Sequence, residues 1–259
     1  MGIVNVTPDS FSDGGEHETT EQAIAHAKLL INQGADILDI GGESTRPGAA
    51  PVSVEEELQR VLPVLRGVID LGVPISIDTR RPQVMAQAVA MGVDLLNDVN
   101  GFRDPLAFDV AVNSSCGLCI MHMLGEPRTM QDNPQYGDVV AEVTDFLMTR
   151  CQAFVDRGVD RRRLLIDPGF GFGKNLDHNL ALLRGIGDMA ARQPVLVGVS
   201  RKRMIAGLLG QDCPPNERVT GSVVAALWAA EQGAQILRVH DVEETVQALA
   251  VWSAIRMPA

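Results

Sequence analysis

The sequence predicts an α/β fold, a (β/α)8 TIM barrel in a single domain. Short apolar runs that end in a polar residue recur along the chain, about 34 residues apart on average, which is the length of one strand-plus-helix unit. Helical patterns fill the intervals, so strands and helices alternate as in a parallel sheet. Eight such runs occur, and they lead to Asn5, Asp39, Asp78, Asn97, His122, Asp167, Ser200 and, for the last run, Arg238 and His240.

The sixth run shows how such a strand ends. Apolar residues from Leu164 lead to Asp167, and Pro168 and Gly169 then stop the strand. Asp167 is therefore expected at the carboxyl end of a buried strand. In a closed barrel of parallel strands, active sites lie at that end. The polar residues that close the other seven runs are expected on the same rim.

Helix boundaries are predicted from capping residues and from glycine and proline. A capping box that opens at Thr19 is expected to begin the first helix, and Gly34 to end it. A second capping box opens at Ser53 and begins a helix in which Pro63 is expected to cause a kink. The remaining helices are predicted at residues 82–91, 105–113, 138–156, from about 177, at 216–232 and at 241–256.

An open doubly-wound sheet is the main alternative to the barrel. Such a sheet would place a Gly-x-Gly-x-x-Gly turn after its first strand. The loop from Thr7 to Gly15 lacks that turn. The glycines at 169, 171 and 173 match neither the dinucleotide-binding spacing nor the phosphate-loop spacing. The barrel is therefore favoured.

Composition argues against several classes of function. The chain has 259 residues, 46% of them hydrophobic, and a formal net charge of −11, which argues against nucleic acid or an anionic membrane as a partner. No apolar run is long enough for a transmembrane helix and no signal-peptide pattern opens the chain, so a cytoplasmic location is expected. Cys116 and Cys119 form a lone Cys-x-x-Cys, and a reduced, buried pair is expected there.

Three strand-end residues predict a site for a planar heterocycle. Asp78, Asn97 and Asp167 offer two carboxylates and one amide. Together these groups can match the N–H and C=O pattern along the edge of such a ring. Each residue alone is more typical of a structural cap or of a partner that supports a binding residue, but three on one barrel rim favour a binding site.

A second group of strand-end residues is cationic and predicts a phosphate site. Lys202, Arg238 and His240 follow the seventh and eighth strands, where barrels often bind phosphate. Asn5, at the end of the first strand, is expected to ligate a magnesium ion held by diphosphate oxygens. Arg203 is assigned to a solvated helix start and carries no predicted role.

Taken together, the ordered motifs closely resemble the dihydropteroate synthase family, over essentially the whole chain. Any one motif is weak, whereas the ordered set is specific. The resemblance rests on the segments 5–15 (NVTPDSFSDGG), 41–48 (GGESTRPG), 76–79 (SIDT), 97–99 (NDV), 121–123 (MHM), 167–174 (DPGFGFGK), 200–202 (SRK) and 238–240 (RVH).

The resemblance implies an enzyme of folate synthesis, a transferase that joins a dihydropterin-methyl diphosphate to 4-aminobenzoate and releases diphosphate. It implies magnesium as cofactor, a homodimer formed through helices late in the chain, and sulfonamides as competitors of 4-aminobenzoate. It also implies a segment before the first strand that covers the barrel floor. The chain begins within that strand, so either its true start lies upstream or it lacks this segment, and residues 1–259 are expected to form one pterin-binding domain.

The resemblance further implies a role for each matching residue. We expect catalysis to depend on Asp78, Asp167, Lys202 and Arg238, which would hold the pterin and neutralise the leaving diphosphate. No proton-transfer pair is expected, because an aniline nitrogen is unprotonated at neutral pH. The implied contacts are Asp78, Asn97, Asp167 and Lys202 to the pterin, Asn5, Arg238 and His240 to the diphosphate with magnesium on Asn5, Thr45 and Arg46 in a mobile loop, and Phe172 and Ser200 to the aminobenzoate.

Two other functions stay open from the sequence. A methyltransferase domain that binds methyltetrahydrofolate would share the barrel and the ring-binding acids, although the Ser-Thr-Arg-Pro loop and the stretch Ser200-Arg201-Lys202 argue against it. A pterin-binding protein without turnover would keep binding but release no diphosphate. We also expect that Lys202→Ala and Arg238→Ala each abolish most activity and leave the chain folded.

Overall fold

Eight short parallel strands form the centre of the computed structural model, which describes residues 1–7, 16–44, 52–126 and 129–256. Each strand except the last is followed by a described helix before the next strand begins. The strands are β1 (Gly2–Asn5), β2 (Leu38–Gly41), β3 (Ile75–Asp78), β4 (Leu95–Asp98), β5 (Gly117–Met121), β6 (Leu164–Asp167), β7 (Leu196–Val197) and β8 (Ile236–Leu237).

The sheet closes on itself. Strands β1 to β6 pair in chain order, and β7 pairs with β8. A parallel bridge between Ile166 and Val195 joins β6 to the start of β7, and another between Gly2 and Val239 joins β1 to the end of β8. Across the second junction, the backbone N–H of Ile3 donates to Val239 O, 3.0 Å away. The predicted eight-stranded barrel is therefore confirmed.

Ten helices lie around the barrel within the described ranges. They are α1 (Glu16–Asn32), α2 (Val54–Val68), α3 (Pro82–Met91), α4 (Pro105–Asn113), α5 (Val139–Asp156), α6 (Leu176–Arg184), α7 (Ile186–Ala190), α8 (Arg203–Leu209), α9 (Val219–Glu231) and α10 (Val242–Arg256). The predicted bounds of α3 and α4 are confirmed, and those of α5, α6 and α10 agree to within one residue. α9 begins three residues later than predicted, because residues 215–218 form a 3-10 turn.

Capping explains where several helices begin and where one prediction is wrong. Ser53 begins α2 as predicted, because its Oγ accepts a hydrogen bond from the Glu56 backbone N–H at 3.1 Å. Gly34 follows α1 as predicted, with a φ of 98°. α1 itself begins at Glu16, so Thr19 lies inside the helix and is not its N-cap. The short helices α7 and α8 were not predicted, because five to seven residues carry too little apolar periodicity.

Strand side chains alternate between the two faces of the barrel wall. In β2, Leu38 and Ile40 pack into the main hydrophobic core under the helices, which places Asp39 and Gly41 on the inner face. The same alternation puts Ser76 and Asp78 of β3 inside. Strands β4 to β8 contribute apolar side chains to the barrel interior. These side chains form a small cluster with Met1, and the members of the cluster are Met1, Leu95, Cys119, Leu165, Leu196 and Ile236.

All four cysteines are buried free thiols, as expected for Cys116 and Cys119. No helix in the described ranges has both the length and the apolar character that a bilayer crossing requires.

Candidate active site

The carboxyl ends of the first four strands set three predicted site residues side by side. Asn5 is in register with Gly41, Gly41 with Asp78, and Asp78 with Asn97. Residues in register on neighbouring strands lie about 5 Å apart. These residues therefore line one arc of the barrel rim, in which Gly41 contributes no side chain. Asp167 ends β6 farther round the same rim.

Arg238, directly after β8, extends into this arc. Its Nε donates to Oδ2 of Asp39 at 2.5 Å, and its Nη2 donates to Oδ2 of Asp78 at 2.7 Å. Asp39 is fully buried, and its Oδ2 also accepts a hydrogen bond from Nδ2 of Asn97 at 3.3 Å. The guanidinium is thereby held between two carboxylates that belong to neighbouring strands.

Burial shifts the protonation of these groups. It raises the pKa of Asp78 to about 7, an effect that the Arg238 guanidinium opposes. Burial alone would lower the pKa of Arg238, but Asp39 and Asp78 raise it above its ordinary value. Arg238 is therefore a permanent cation, and its 2.7 Å contact favours the ionised form of Asp78.

Lys202 is the second cation of the site, and the turn after β6 holds it in place. Its Nζ donates to the backbone oxygen of Phe170 at 2.5 Å and lies 4.7 Å from the centre of the Phe172 ring. Burial lowers the pKa of Lys202 to about 8, and Asp167 opposes this shift. Burial likewise raises the pKa of Asp167, which Lys202 opposes. Lys202 and Asp167 thus stabilise each other's charged forms.

Ser200 and His240 form a hydrogen-bonded pair beside Lys202. Ser200 Oγ lies 3.0 Å from Nδ1 of His240 and accepts a hydrogen bond from the His240 backbone N–H at 3.1 Å. Arg201 lies between Ser200 and Lys202 in the sequence and has a φ of 58°, in the left-handed region. Its Nε donates to Oδ2 of Asp241 at 3.0 Å. This ion pair ties the loop after β7 to the loop after β8, so the two predicted residues stand together.

An apolar patch borders the polar arc. The half-buried Phe172 packs against buried residues from the end of β5 and from the loops after β4 and β5. The Phe172 ring also carries the Lys202 contact on one face. The site therefore offers one polar edge and one apolar wall, which suits a flat ring system with a polar rim. The buried members of the patch are Val99, Met121, Met123 and Met130.

A buried lysine, Lys174, stabilises the glycine-rich turn beneath Lys202. Its Nζ lies 3.0 Å from Nδ1 of His122 and donates to the backbone oxygens of Gly169 and Phe172, each at 3.0 Å. Burial lowers the pKa of Lys174 to about 7. Burial, assisted by Lys174, lowers the pKa of His122 to about 3. His122 is therefore a neutral acceptor that supports the turn.

Asn5 is the residue predicted to hold magnesium. Among the described residues its side chain has no hydrogen-bond partner, and no group of three histidine, cysteine or carboxylate side chains could hold a metal ion there. A carboxamide oxygen suits magnesium as one of several oxygen ligands. The donor set therefore fits an ion whose other ligands are substrate oxygens and water. The predicted contacts Thr45 and Arg46 lie outside the described residues.

Two residues of this site were not assigned from the sequence. Asp39 was expected on the rim, which is wrong: β2 continues to Gly41, so Asp39 lies one layer deeper. A carboxylate in the middle of a buried strand needs a hydrogen-bonding or cationic partner. This requirement could have identified Asp39 from the sequence as a residue that supports the site. Lys174 was noted only as the end of a motif. Lys174 donates to backbone oxygens of the turn after β6. No local sequence pattern predicts that a lysine side chain folds back onto these oxygens.

The sequence also matches a known protein family and its members. Residues 1–240 match the family model described as "Pterin binding enzyme". The chain is 50% identical to the dihydropteroate synthase of Escherichia coli strain K12, over 98% of this chain and 90% of that protein.

Solved structures agree in fold and sequence. A Xanthomonas albilineans dihydropteroate synthase with 4-aminobenzoic acid superimposes with a TM-score of 0.93 and 53% identity, covering 100% of this chain and 93% of that one. A Burkholderia cenocepacia dihydropteroate synthase complexed with 7,8-dihydropteroate gives a TM-score of 0.90 and 52% identity, covering 99% and 90%. The chain therefore belongs to the pterin-binding enzyme family and, within it, to the dihydropteroate synthases.

Proposed function

We propose that this chain joins 6-hydroxymethyl-7,8-dihydropterin diphosphate to 4-aminobenzoate, giving 7,8-dihydropteroate and diphosphate. The proposal rests on the set of side chains that meet at the barrel rim. Two carboxylates, one amide and two cations converge there, in a chain about half identical to dihydropteroate synthases whose solved structures hold 4-aminobenzoate or 7,8-dihydropteroate.

Asp78, Asn97, Asp167 and Lys202 hold the pterin ring in this proposal. The two carboxylates accept hydrogen bonds from the ring N–H groups and the exocyclic amine, whereas Asn97 and Lys202 supply donors for the ring acceptors. The pair formed by Lys202 and Asp167 supports this role, because each keeps the other charged in a buried place. The position of the Phe172 ring beside Lys202 supports stacking against the substrate.

The diphosphate lies against Arg238 and His240. Arg238 has two of its donor groups on Asp39 and Asp78, and its Nη1 has no partner among the described residues, which leaves that donor for a phosphate oxygen. Asn5 would hold a magnesium ion brought with the diphosphate, and such an ion would supply positive charge at the leaving group. Ser200 holds His240 by two contacts, so its ring is oriented before the substrate arrives.

The reaction is a substitution at the pterin methylene carbon. The bond from this carbon to the diphosphate oxygen breaks, and its electron pair leaves with the diphosphate. The electron-rich dihydropterin ring stabilises the cation that forms. The nitrogen of 4-aminobenzoate then donates its lone pair to make the new C–N bond and loses a proton to solvent. Arg238 stabilises the departing charge, and Phe172 with Ser200 lines the pocket that aligns the arylamine.

Several further assignments belong to this proposal. Residues 1–259 act as one pterin-binding domain whose partners are small molecules. The chain works in the cytoplasm, where a diphosphate metabolite is available, and as a homodimer. Exposed apolar side chains on α9 and α10 support an interface between copies, namely Val224, Trp228, Val251 and Ile255. Sulfonamides are expected to compete with 4-aminobenzoate.

The proposal is tested by following diphosphate release from the dihydropterin diphosphate, with magnesium, in the presence and absence of 4-aminobenzoate. Release that requires 4-aminobenzoate, with dihydropteroate formed in equal amount, is the expected result. A folded chain that binds pterin and releases no diphosphate would contradict it and would favour a binding protein. Methyl transfer from methyltetrahydrofolate to a corrinoid, without release, would instead favour the methyltransferase alternative.

A further inference from the structure

Asp39 lies one layer below the proposed site and contacts two of its residues. Its side chain is fully buried, and its Oδ2 accepts hydrogen bonds from Nε of Arg238 and from Nδ2 of Asn97. Arg238 belongs to the proposed diphosphate contacts and Asn97 to the pterin contacts. One carboxylate oxygen therefore connects the two halves of the substrate site from beneath, although Asp39 itself does not reach the barrel mouth.

Two glycines lie beside the residues of this contact. Gly41 follows Asp39 on the inner face of β2, and a Cβ built there would lie 3.5 Å from Cβ of Asp78. A Cβ at Gly198, beyond β7, would lie 3.8 Å from Cβ of Arg238. Both distances are ordinary van der Waals contacts, so the stem of Arg238 passes next to the backbone of Gly198.

The contact with Asp39 fixes the orientation of Arg238. A guanidinium is planar, so hydrogen bonds from Nε and Nη2 to two different carboxylates define its plane. Asp78 lies at the rim, where the pterin would compete for its oxygens, whereas Asp39 is buried and stays available in every state. Asp39 is therefore the partner that can hold Arg238 when substrate occupies Asp78.

We propose that Asp39 is a positioning residue for the condensation, holding Arg238 and Asn97 so that the diphosphate and the pterin bind in one alignment. This inference rests on the proposed function. It goes beyond a structural role, because it requires that Asp39 affects catalysis through Arg238 and not merely through the stability of the barrel.

The test is a double-mutant cycle with Asp39→Asn, an isosteric change, and Arg238→Gln. Asp39→Asn is expected to lower kcat/KM for the dihydropterin diphosphate by about 10- to 100-fold, mostly through KM. In the Arg238→Gln background the same change is expected to lower kcat/KM by less than about 3-fold, because only the longer contact between Asp39 and Asn97 then remains. Ser76→Ala is the matched control, since Ser76 is in register with Asp39 and equally buried, and its hydroxyl forms no hydrogen bond with Arg238 or Asn97.

A second measurement uses the unaltered chain and does not depend on how the variants fold. In its 15N–1H spectrum, the Arg238 Nε–H is expected to exchange slowly with solvent and to keep that protection when inorganic diphosphate and magnesium are added. Loss of protection on adding diphosphate would overturn the proposal. Equal losses from Asp39→Asn in both backgrounds, or normal kinetics for Asp39→Asn, would also overturn it. An unaltered chain without turnover would instead contradict the proposed function.

Discussion

The ammonium of Lys174 lies 3.0 Å from Nδ1 of His122, inside the turn that follows β6. The same ammonium donates to three backbone oxygens, those of His122, Gly169 and Phe172. A single side chain therefore ties the turn that contains Phe170 and Phe172 to His122, and the Phe170 backbone oxygen of this turn accepts the hydrogen bond from Lys202. The stability of the turn and the geometry of the site are linked through this one group.

We expect Lys174→Met to lower the free energy of unfolding by about 2–4 kcal/mol, because the replacement fits the space but leaves buried acceptors without a donor. Urea unfolding followed by circular dichroism measures the change. Lys28→Met, at an exposed position of α1, is the control and should shift the free energy by less than about 0.5 kcal/mol. Equal effects for the two variants would show that the Lys174 contacts contribute no stability.

Neutral His122 predicts a specific dependence of stability on pH. Its pKa is lowered to about 3 in the folded state, against an ordinary value of 6.5, so the unfolded chain binds the proton more readily. The stability that this group contributes is complete above pH 6.5 and is lost as the pH falls toward 3. The loss approaches about 1.4 kcal/mol per pH unit.

The His122→Gln variant isolates this contribution, because glutamine keeps an acceptor for Lys174 but does not titrate. Between pH 7 and pH 4, the unfolding free energy of the unaltered chain should fall relative to that of His122→Gln. Parallel curves would mean that His122 is not kept neutral by folding.

Gly169 has a conformation and surroundings that no other residue fits. Its φ is 70°, and a Cβ there would lie 1.9 Å from the backbone oxygen of His122. We expect Gly169→Ala to cost more than about 3 kcal/mol of stability. Gly92→Ala is the matched control, with a φ of 93° and open space around the new Cβ, and should cost about 1 kcal/mol. Similar melting temperatures for both variants would contradict the proposed clash.

Lys202→Ala should lower kcat/KM by about 30- to 1,000-fold, corresponding to about 2–4 kcal/mol of transition-state stabilisation. Arg238→Ala should lower it at least as far. The sequence alone predicted that both variants stay fully folded, and the geometry changes this for Arg238. Its removal leaves Asp39 and Asp78 unpaired, so thermal stability should fall as well.

Arg203→Ala is the control for these two variants, because Arg203 is an exposed arginine at the start of α8, next to Lys202. It should keep both normal turnover and normal stability. Normal turnover in Lys202→Ala or Arg238→Ala would contradict the role assigned to that residue.

The barrel and most of the rim could be predicted because both depend on local signals. Pro168 and Gly169 end β6 within the sequence window that contains Asp167, and each of the other strands has a similar end. Alternation along a strand then determines which residues face inward. This is why Asp78, Asn97 and Asp167 were identified without any knowledge of their neighbours in space.

The connections between the rim residues could not be predicted, because they depend on register across distant strands. Whether Asp39 contacts Arg238 depends on how β2 aligns with β1 and how β1 aligns with the chain after β8, and Asp39 and Arg238 lie 199 positions apart. The start of α1 was missed for a different reason. The pattern at Thr19 is a valid capping box, but the helix continues toward its N-terminus beyond it.

The most direct test of the account is a calorimetric titration of the dihydropterin diphosphate into the unaltered chain and into Asp167→Asn. The central claim is that the strand-end carboxylates hold the pterin. Asp167→Asn keeps the shape but loses the charge that pairs with Lys202, so its Kd should rise at least about 10-fold. Asp160→Asn, an exposed aspartate before β6, should bind normally. Equal Kd values for Asp167→Asn and the unaltered chain would contradict the claim.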